Sequence, residues 1–302
     1  MSNSADPTYY YRHSGLLVRS AIKLPEWEAF AQADPAQDPD IVIAFGDALA
    51  RTPEQLPSGD RKGIHFSVAD VGRWSIARGE SIVIEPIVGA PEAELRLFTL
   101  GSAWGAAGYQ RGLAMLHGSS VRTGGKTLLF CGAQEAGKST IAAALVERDG
   151  LLVADDLSRV DPPAADGGSA HIWPSSSRMK LWDEAIDHLG WRGRVVQRDH
   201  FRTQKYHLAM DAPVAEEPLP LDAIVLLGWG EGRNLDRLAG GEAVREVLQA
   251  SCYRPEMLDL MGRTAEQATM VSRIVAATPV YRLVRPRDFA RLDEVCRLIE
   301  GL

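Results

Sequence analysis

The fold prediction rests on the stretch Lys126-Thr-Leu-Leu-Phe-Cys131, followed by Gly132-Ala133-Gln134-Glu135-Ala136-Gly137-Lys138-Ser139-Thr140. Its first six residues form a short apolar run of the kind found in strands, and residues 138–148 have the composition of a helix that ends at Asp149-Gly150. A strand, a loop with two glycines and a helix in this order are typical of an α/β fold. We therefore predict an α/β domain built around this stretch.

Residues 132–139 match the phosphate-loop (Walker A) pattern G-x-x-x-x-G-K-[S/T]. The glycines let the backbone fold tightly, so that successive N–H groups point at a phosphate. Lys138 is placed to reach the β- and γ-phosphates, and the Ser139 hydroxyl is placed to coordinate Mg²⁺. The positive end of the helix dipole faces the same anion. We predict that residues 132–140 bind ATP together with Mg²⁺.

A second short apolar run, residues 151–154, ends in Asp155-Asp156. In a parallel sheet, the carboxyl end of a neighbouring strand opens onto the same crevice as the phosphate loop. One carboxylate there can hold Mg²⁺, and the other can accept a proton from an attacking hydroxyl group. The spacing predicts that both aspartates belong to the site but does not assign the two roles.

The first 92 residues read as short strands separated by turns and carry no recognisable catalytic motif. The β-rich runs are 16–22, 41–45, 63–68, 73–77 and 81–86. A helix is predicted from residue 91 towards residue 116, with His117 at its end, and a hairpin is predicted around Gly124-Gly125. These patterns predict a smaller β-rich domain over residues 1–92 and an α/β domain over residues 93–302.

The 302 residues include 33 Lys and Arg against 40 Asp and Glu, a net charge of −7. Proteins that bind duplex nucleic acids or anionic membranes usually have a basic surface, so this balance disfavours both partners. Three widely spaced cysteines without a C-x-x-C pair fit a reducing compartment. The first residues lack the pattern of a signal peptide, and no run approaches the roughly 18 apolar residues that span a bilayer. The sequence predicts a cytoplasmic protein.

Three segments occur in a specific order: Gln110-Arg-Gly-Leu-Ala-Met-Leu-His117-Gly-Ser-Ser-Val121, the phosphate loop, and Leu152-Val-Ala-Asp155-Asp156. Together they resemble the catalytic domain of bacterial HPr kinase/phosphorylase. In that family, a strand region with a histidine, a phosphate loop and a Val-Ala-Asp-Asp segment occur in this order and at similar spacing. The similarity covers roughly residues 108–160, and a weaker likeness continues through residues 219–227 and 279–283.

The resemblance implies a nucleotide-binding domain of the HPr kinase C-terminal and PEP carboxykinase type, preceded by the smaller β-rich domain. It also implies ATP- and Mg²⁺-dependent phosphoryl transfer to a serine hydroxyl. Carried over to this sequence, it implies that Lys138 and Ser139 bind phosphates and metal. Asp155 would deprotonate the acceptor serine, Asp156 would be a metal ligand, and His117 would tune Asp155.

After the aspartates, HPr kinases have a Glu-Val-Arg-Gly segment, whereas residues 171–182 of this chain lack that motif. In this respect the chain looks more like the HPr-kinase-like proteins found beside ribosomally made peptide clusters, including lasso peptides. That resemblance implies phosphorylation of a serine near the end of a precursor peptide. Residues 1–92 would then be a docking module in which an edge strand pairs with the extended peptide.

Two other functions remain open. A small-molecule phosphotransferase with PEP-carboxykinase-like chemistry would use the same loop and aspartates, and a non-catalytic ATP-binding regulator would keep only the loop. The intact aspartate pair argues against the regulator. Four later basic residues can either reach a transferring phosphoryl group or form a solvated face: Arg178, Lys180, Arg202 and Lys205. The sequence leaves open the acceptor, ATP against GTP, phosphorylase activity and whether the chain forms a homo-oligomer.

Overall fold

The structure, a computed structural model, describes residues 8–48, 57–199, 202–210 and 217–302, and these have a mixed α/β fold. The chain divides into two compact units. The first comprises Met1–Leu113 and Arg254–Gln267, and the second comprises Ala114–Tyr253 and Ala268–Leu302. Residues 1–7, on which most of the targeting prediction rests, and residues 49–56 of the predicted β-rich domain lie outside the described residues.

The first unit is built on one large sheet. Its strands are β1 (Tyr9–His13), β2 (Leu16–Ser20), β3 (Ala31–Gln32), β4 (Ile41–Phe45), β5 (Ser58–Gly59), β6 (Gly63–Val68), β7 (Gly72–Ala77) and β8 (Ser81–Pro86). They are arranged in the order β3-β1-β2-β4-β8-β7-β6-β5. β4 is parallel to β2 and to β8. Each of the five predicted runs contains a strand, whereas β1, β3 and β5 lie outside those runs.

The helical segment after β8 is shorter than predicted and is not continuous. It consists of α1 (Glu92–Phe98), a π-helical turn (Thr99–Ala103) and α2 (Trp104–Gln110). The chain leaves α2 through two closing hydrogen bonds, from Gly112 N to Tyr109 O and from Leu113 N to Gly108 O, which is the Schellman type of helix end. The prediction of a helix towards residue 116 is therefore wrong. Residues 114–117 form the strand β9 (Ala114–His117), and His117 ends a strand.

This helical segment belongs to the first unit. Trp74 of β7 donates a hydrogen bond to Thr99 over 3.0 Å, and the Gln110 side-chain amide donates to Ile76 O over 3.2 Å. These bonds explain why the compact units divide at Leu113, whereas the predicted domain boundary lies between residues 92 and 93.

The second unit contains the remaining strands. They are β10 (Ser119–Thr123), β11 (Lys126–Cys131), β12 (Leu151–Ala154), β13 (Leu157–Asp161), β14 (His171–Ile172), β15 (Arg178–Trp182), β16 (Val195–Arg198), β17 (Lys205–Ala209), β18 (Leu219–Pro220), β19 (Ala223–Trp229), β20 (Asn234–Leu238) and β21 (Val280–Arg285). The main sheet has the order β12-β10-β11-β19-β21-β20, and two smaller sheets have the orders β18-β14-β13-β9 and β15-β17-β16. The strands β11, β19 and β21 are parallel. Gly124 and Gly125 make the predicted hairpin turn between β10 and β11, with φ of +56° and +82°.

Helices cover both faces of the main sheet. The helices that follow α2 are α3 (Lys138–Glu147), α4 (Asp183–Leu189), α5 (Gly240–Ser251), α6 (Pro255–Leu260), α7 (Thr264–Ala277) and α8 (Leu292–Glu300). Of these, α6 and the first turn of α7 belong to the first unit. Phe130 of β11 shares a buried core with residues of α3 and α8, and its neighbour Leu129 shares the opposite core with residues of α5 and α7. Alternate residues of β11 thus pack into two cores, as expected for a central strand of an α/β sheet. Within the part of the chain that the structure describes, no helix is long and apolar enough to span a membrane.

Candidate active site

The phosphate loop joins the end of β11 to the start of α3, as predicted. The crest residues Ala133, Gln134 and Glu135 are exposed, whereas Ala136 and Lys138 are buried. Gly137 has a φ of +80°, and a Cβ atom added there would lie 2.7 Å from Nη2 of Arg285, so this position requires glycine. Because α3 begins at Lys138, the free N–H groups of its first turn, which includes Ser139 and Thr140, point towards the mouth of the loop.

Lys138 lies folded against its own loop. Its Nζ donates hydrogen bonds to the carbonyl oxygens of Gly132 and Ala133, over 2.9 and 3.0 Å. The residue is only 8% exposed, and burial lowers the pKa of its ammonium group below the ordinary value for lysine. The carbonyl groups satisfy the ammonium as neutral acceptors, and phosphate oxygens would satisfy it better because they are charged.

Asp155 is the acceptor for a group of hydroxyl and amide donors. Ser139 donates to its Oδ1 over 2.9 Å and Ser119 donates to the same oxygen over 2.6 Å. The backbone N–H of Lys180 donates to Oδ2 over 2.9 Å. Burial raises the pKa of Asp155 above the ordinary value for aspartate. The structure therefore brings together the loop serine and the first of the two aspartates.

Asp156 contacts a different set of groups. The ammonium group of Lys180 lies 2.8 Å from Oδ2, and Nε2 of His117 lies 3.6 Å from Oδ1. The charge of Lys180 lowers the pKa of Asp156. Burial lowers the pKa of His117 to about 4, although Asp156 acts in the opposite direction, so the imidazole is neutral at pH 7. The rings of His117 and Tyr253 also form a T-shaped pair, with centroids 5.7 Å apart.

The topology explains how these residues meet, and it corrects two expectations. β12 does not neighbour β11, because β10 lies between them and is antiparallel to both. The carboxyl ends of β11 and β12 still lie at the same edge of the sheet. The bend at Asp155 and Asp156 leads directly into β13. β13 pairs with β9, so that Leu157 lies opposite His117. As a result, His117 contacts Asp156, whereas the resemblance implied Asp155.

Two of the four later basic residues lie at the site. Lys180 of β15 contacts both aspartates, as described above. Lys205 of β17 lies opposite Trp182 of β15, and its Nζ is 5.8 Å from the centre of that ring. Burial lowers the pKa of Lys205, and the charges of Asp156 and Asp155 oppose this effect. Arg178 begins β15, two residues before Lys180. The N–H of Arg202 donates to Asp199, and the charge of Arg202 also lowers the pKa of Lys205.

Sequence reasoning missed Ser119 as a partner of Asp155. A signal was present, because Ser119 follows His117 and Gly118 within the first segment of the resemblance. Arg285 is a second residue that the sequence does not indicate, and it donates to Ala136 O of the phosphate loop over 2.5 Å. Arg285 lies far along the chain at the end of β21, and it reaches the loop only because β21 is part of the same sheet.

The residues at the mouth of the loop fit a magnesium–nucleotide complex. The Ser139 hydroxyl and the Asp155 carboxylate present adjacent oxygen atoms, and Mg²⁺ prefers such hard oxygen ligands together with substrate phosphates and water. The loop offers N–H groups, a lysine and a glycine where a side chain would intrude. All of these features are suited to phosphate groups.

Known proteins offer one distant structural likeness to this chain. No model of a protein family matches the chain, and no curated protein matches it. Among solved structures, the chain is similar to the HPr(Ser) kinase/phosphatase from Coxiella burnetii, with 12% sequence identity. The match covers 62% of this chain and 92% of that chain, with a TM-score of 0.29. This likeness is too distant to carry a conclusion about activity.

Proposed function

We propose that this protein is an ATP- and Mg²⁺-dependent kinase that phosphorylates a serine hydroxyl of a small protein or precursor peptide. The observation that carries the proposal is the arrangement at the mouth of the phosphate loop. Ser139 is bonded there to Asp155, and Asp156 lies beside it with Lys180 and His117. The acceptor class is supported by the sequence resemblance, and the nucleotide is supported by the loop.

The loop residues would bind and orient the triphosphate. The N–H groups at the start of α3 and the Lys138 ammonium would bind the phosphate oxygens. Lys138 would then donate to phosphate oxygens in place of the carbonyl oxygens of Gly132 and Ala133. Lys180 and Lys205 add positive charge beside the aspartates. Held in this way, the γ-phosphoryl group would be stabilised electrostatically as charge moves during transfer.

The contacts favour different roles for the two aspartates from those that the resemblance implies. Asp155 already accepts hydrogen bonds from Ser139, Ser119 and the Lys180 N–H. We propose that Ser139 and Asp155 hold the Mg²⁺ ion, which when bound would neutralise charge on the phosphates. Asp156 lies on the side of His117 and Lys180, and we propose that it accepts the proton of the serine hydroxyl.

The proposed transfer forms one phosphorus–oxygen bond and breaks another. The serine oxygen forms a bond to the γ-phosphorus while the bond from that phosphorus to the bridging β,γ-oxygen breaks. The hydroxyl proton passes to the Asp156 carboxylate, and ADP leaves with the negative charge of the broken bond. Lys180 keeps Asp156 ionised before the transfer. A base with a lowered pKa is adequate here, because the transition state of phosphoryl transfer is loose and develops little positive charge on the attacking oxygen.

The proposed activity is tested by incubating the full chain with γ-labelled ATP, Mg²⁺ and two sets of acceptors. One set contains serine-bearing peptides, each with a matched serine-to-alanine peptide, and the other contains small hydroxyl metabolites. Label on serine peptides alone supports the proposal. Label on metabolites alone would establish a small-molecule phosphotransferase, and tight ATP binding without transfer to any acceptor would establish a regulator.

The roles of the aspartates are separated by titrating Mg²⁺ against the Asp155→Asn and Asp156→Asn variants. We expect Asp155→Asn to raise the Mg²⁺ concentration for half-maximal transfer about 10-fold or more, because it weakens a charged metal ligand. We expect Asp156→Asn to lower kcat about 100-fold at saturating Mg²⁺. The opposite pattern would restore the roles that the resemblance implies.

A further inference from the structure

Trp229 is an exposed tryptophan attached to the phosphate loop. It ends β19, the strand next to β11, so its side chain lies at the sheet edge from which the loop emerges. The residue is 44% exposed, although its Nε1–H donates to the carbonyl oxygen of Glu135 at the loop crest over 3.3 Å. A large aromatic ring is therefore held against the loop while much of its surface remains in water.

One face of this ring is covered by a buried arginine. Arg285 lies opposite Trp229 in the pairing of β19 with β21, and its guanidinium carbon is 4.2 Å from the centre of the ring. Arg285 donates to Gly228 O over 3.2 Å and to Ala136 O over 2.5 Å. It is 3% exposed, and no carboxylate among the described residues pairs with it. Burial lowers its pKa to about 10, so it stays charged at pH 7.

These contacts fix the orientation of the ring. The hydrogen bond to Glu135 O holds its edge, and the guanidinium group occupies one of its faces. The exposure of Trp229 must then come from the remaining face and edges. A rigid aromatic face beside a phosphate-binding loop is well suited to a planar ring that is covalently linked to a phosphate chain, because stacking costs little conformational entropy there.

We propose that the free face of Trp229 is the platform on which the base of the bound nucleotide stacks. This inference rests on the proposed function, because it takes the phosphate loop to bind the triphosphate. The base is favoured over an acceptor side chain because the indole N–H is bonded to the loop that would hold the phosphates of the same molecule. Stacking on an aromatic face discriminates weakly among bases, so ADP and GDP should bind with affinities within about fivefold of each other.

The test is calorimetric titration of the full-length protein with ADP, GDP and inorganic tripolyphosphate. Tripolyphosphate occupies a phosphate loop but has no base. We expect Trp229→Ala to weaken ADP binding about 5- to 100-fold, the range that loss of one stacked base implies. The affinity for tripolyphosphate should change less than twofold. Trp229→Phe should keep most of the ADP affinity, because phenylalanine retains an aromatic face.

A matched control is Leu151→Ala. Leu151 is 45% exposed, like Trp229, but it begins β12 at the opposite edge of the same sheet. This variant should bind ADP as the wild type does. Circular dichroism should show the same spectrum for all three variants and the wild type.

Three outcomes would overturn the platform, and they have different meanings. If Trp229→Ala binds ADP normally, the base lies elsewhere while the phosphate loop keeps its role. If Trp229→Ala leaves ADP affinity unchanged but raises the KM for a serine peptide that the wild type phosphorylates, Trp229 contacts the acceptor. If the wild type binds neither ADP nor tripolyphosphate, the proposed function fails together with the platform.

Discussion

A buried aromatic stack in the first unit and the phosphate loop of the second unit are stabilised in opposite ways. Trp74 is fully buried, and its ring lies parallel to that of Phe66 with centroids 5.1 Å apart. Its N–H donates to Thr99, so burial of these neutral groups lowers the free energy of the folded state. The loop instead buries the Lys138 ammonium and holds the non-glycine residue Glu135 in a left-handed conformation, with a φ of +62°, and both features cost free energy.

The proposed phosphate ligand would account for this difference. The stack is accounted for by the stability of the fold alone. The loop concentrates charge and an unusual backbone conformation at an open edge of the sheet, and an anion would offset the cost of both. We therefore expect changes in the stack to alter the free energy of unfolding, and changes in the loop to alter phosphate binding.

The largest expected effect is that of Lys138→Ala on phosphoryl transfer. Removing the ammonium should slow transfer about 10⁴-fold, the middle of the range for charges that stabilise this kind of transition state. Tripolyphosphate binding, measured by calorimetry, should weaken about 100-fold. The denaturation midpoint should stay the same or rise, because a buried charge is removed. Wild-type affinity for tripolyphosphate in this variant would contradict the contrast between the regions.

The next effect is that of Trp74→Ala on stability. We expect a loss of about 3–5 kcal/mol in the free energy of unfolding, because a large buried ring is replaced by a cavity. Trp74→Phe should lose only about 1–2 kcal/mol, since a ring still stacks on Phe66 while the bond to Thr99 is lost. Urea denaturation followed by circular dichroism measures both. A smaller loss in the alanine variant than in the phenylalanine variant would refute this account.

The smallest expected effects are those of alanine substitutions on the free energy of unfolding at Gly137 and Gly124, two glycines that share a left-handed conformation. Gly137→Ala should cost about 1–2 kcal/mol for the backbone and more for the approach to Arg285, because its Cβ would lie 2.7 Å from Nη2. Gly124→Ala in the hairpin turn should cost only the backbone part, since nothing lies within 4 Å of its added Cβ. Only Gly137→Ala should also weaken tripolyphosphate binding. Equal effects of the two variants on binding would show that the loop tolerates the contact with Arg285.

The local parts of the fold could be predicted because the sequence signals them within a few residues. The phosphate loop, the Gly124-Gly125 turn and α3 combine glycine positions with apolar periodicity, and the structure has all three. By contrast, residues 114–117 are three apolar residues and a histidine after a helix, and such a short run fits either a helix or a strand. Its pairing with β13 decides the matter, and that strand lies about forty residues later in the sequence.

In the candidate site too, local features could be predicted from the sequence and long-range contacts could not. The two aspartates were identified by their position at the end of an apolar run, but their neighbours were not. Lys180 reaches both because β15 passes beside the turn at Asp156, and nothing near Lys180 in the sequence distinguishes it from Arg178. Contacts between distant strands depend on the whole topology. For this reason the sequence indicates the loop residues and the two aspartates as candidates, whereas their contacts with Ser119, Lys180 and Arg285 are seen only in the structure.

The first unit ends with a late segment of chain, and this has a consequence for synthesis. Arg254–Gln267 belong to that unit, and Arg61 bonds to Gly262 O and to Glu266 within it. On a ribosome, about 7 to 28 s pass between the synthesis of Leu113 and that of Arg254, because elongation proceeds at about 5–20 residues per second. This amino-terminal third of the chain cannot reach its final packing before most of the other unit has emerged. Nascent chains stalled before residue 254 should therefore be more sensitive to protease in their first hundred residues than chains stalled after residue 300.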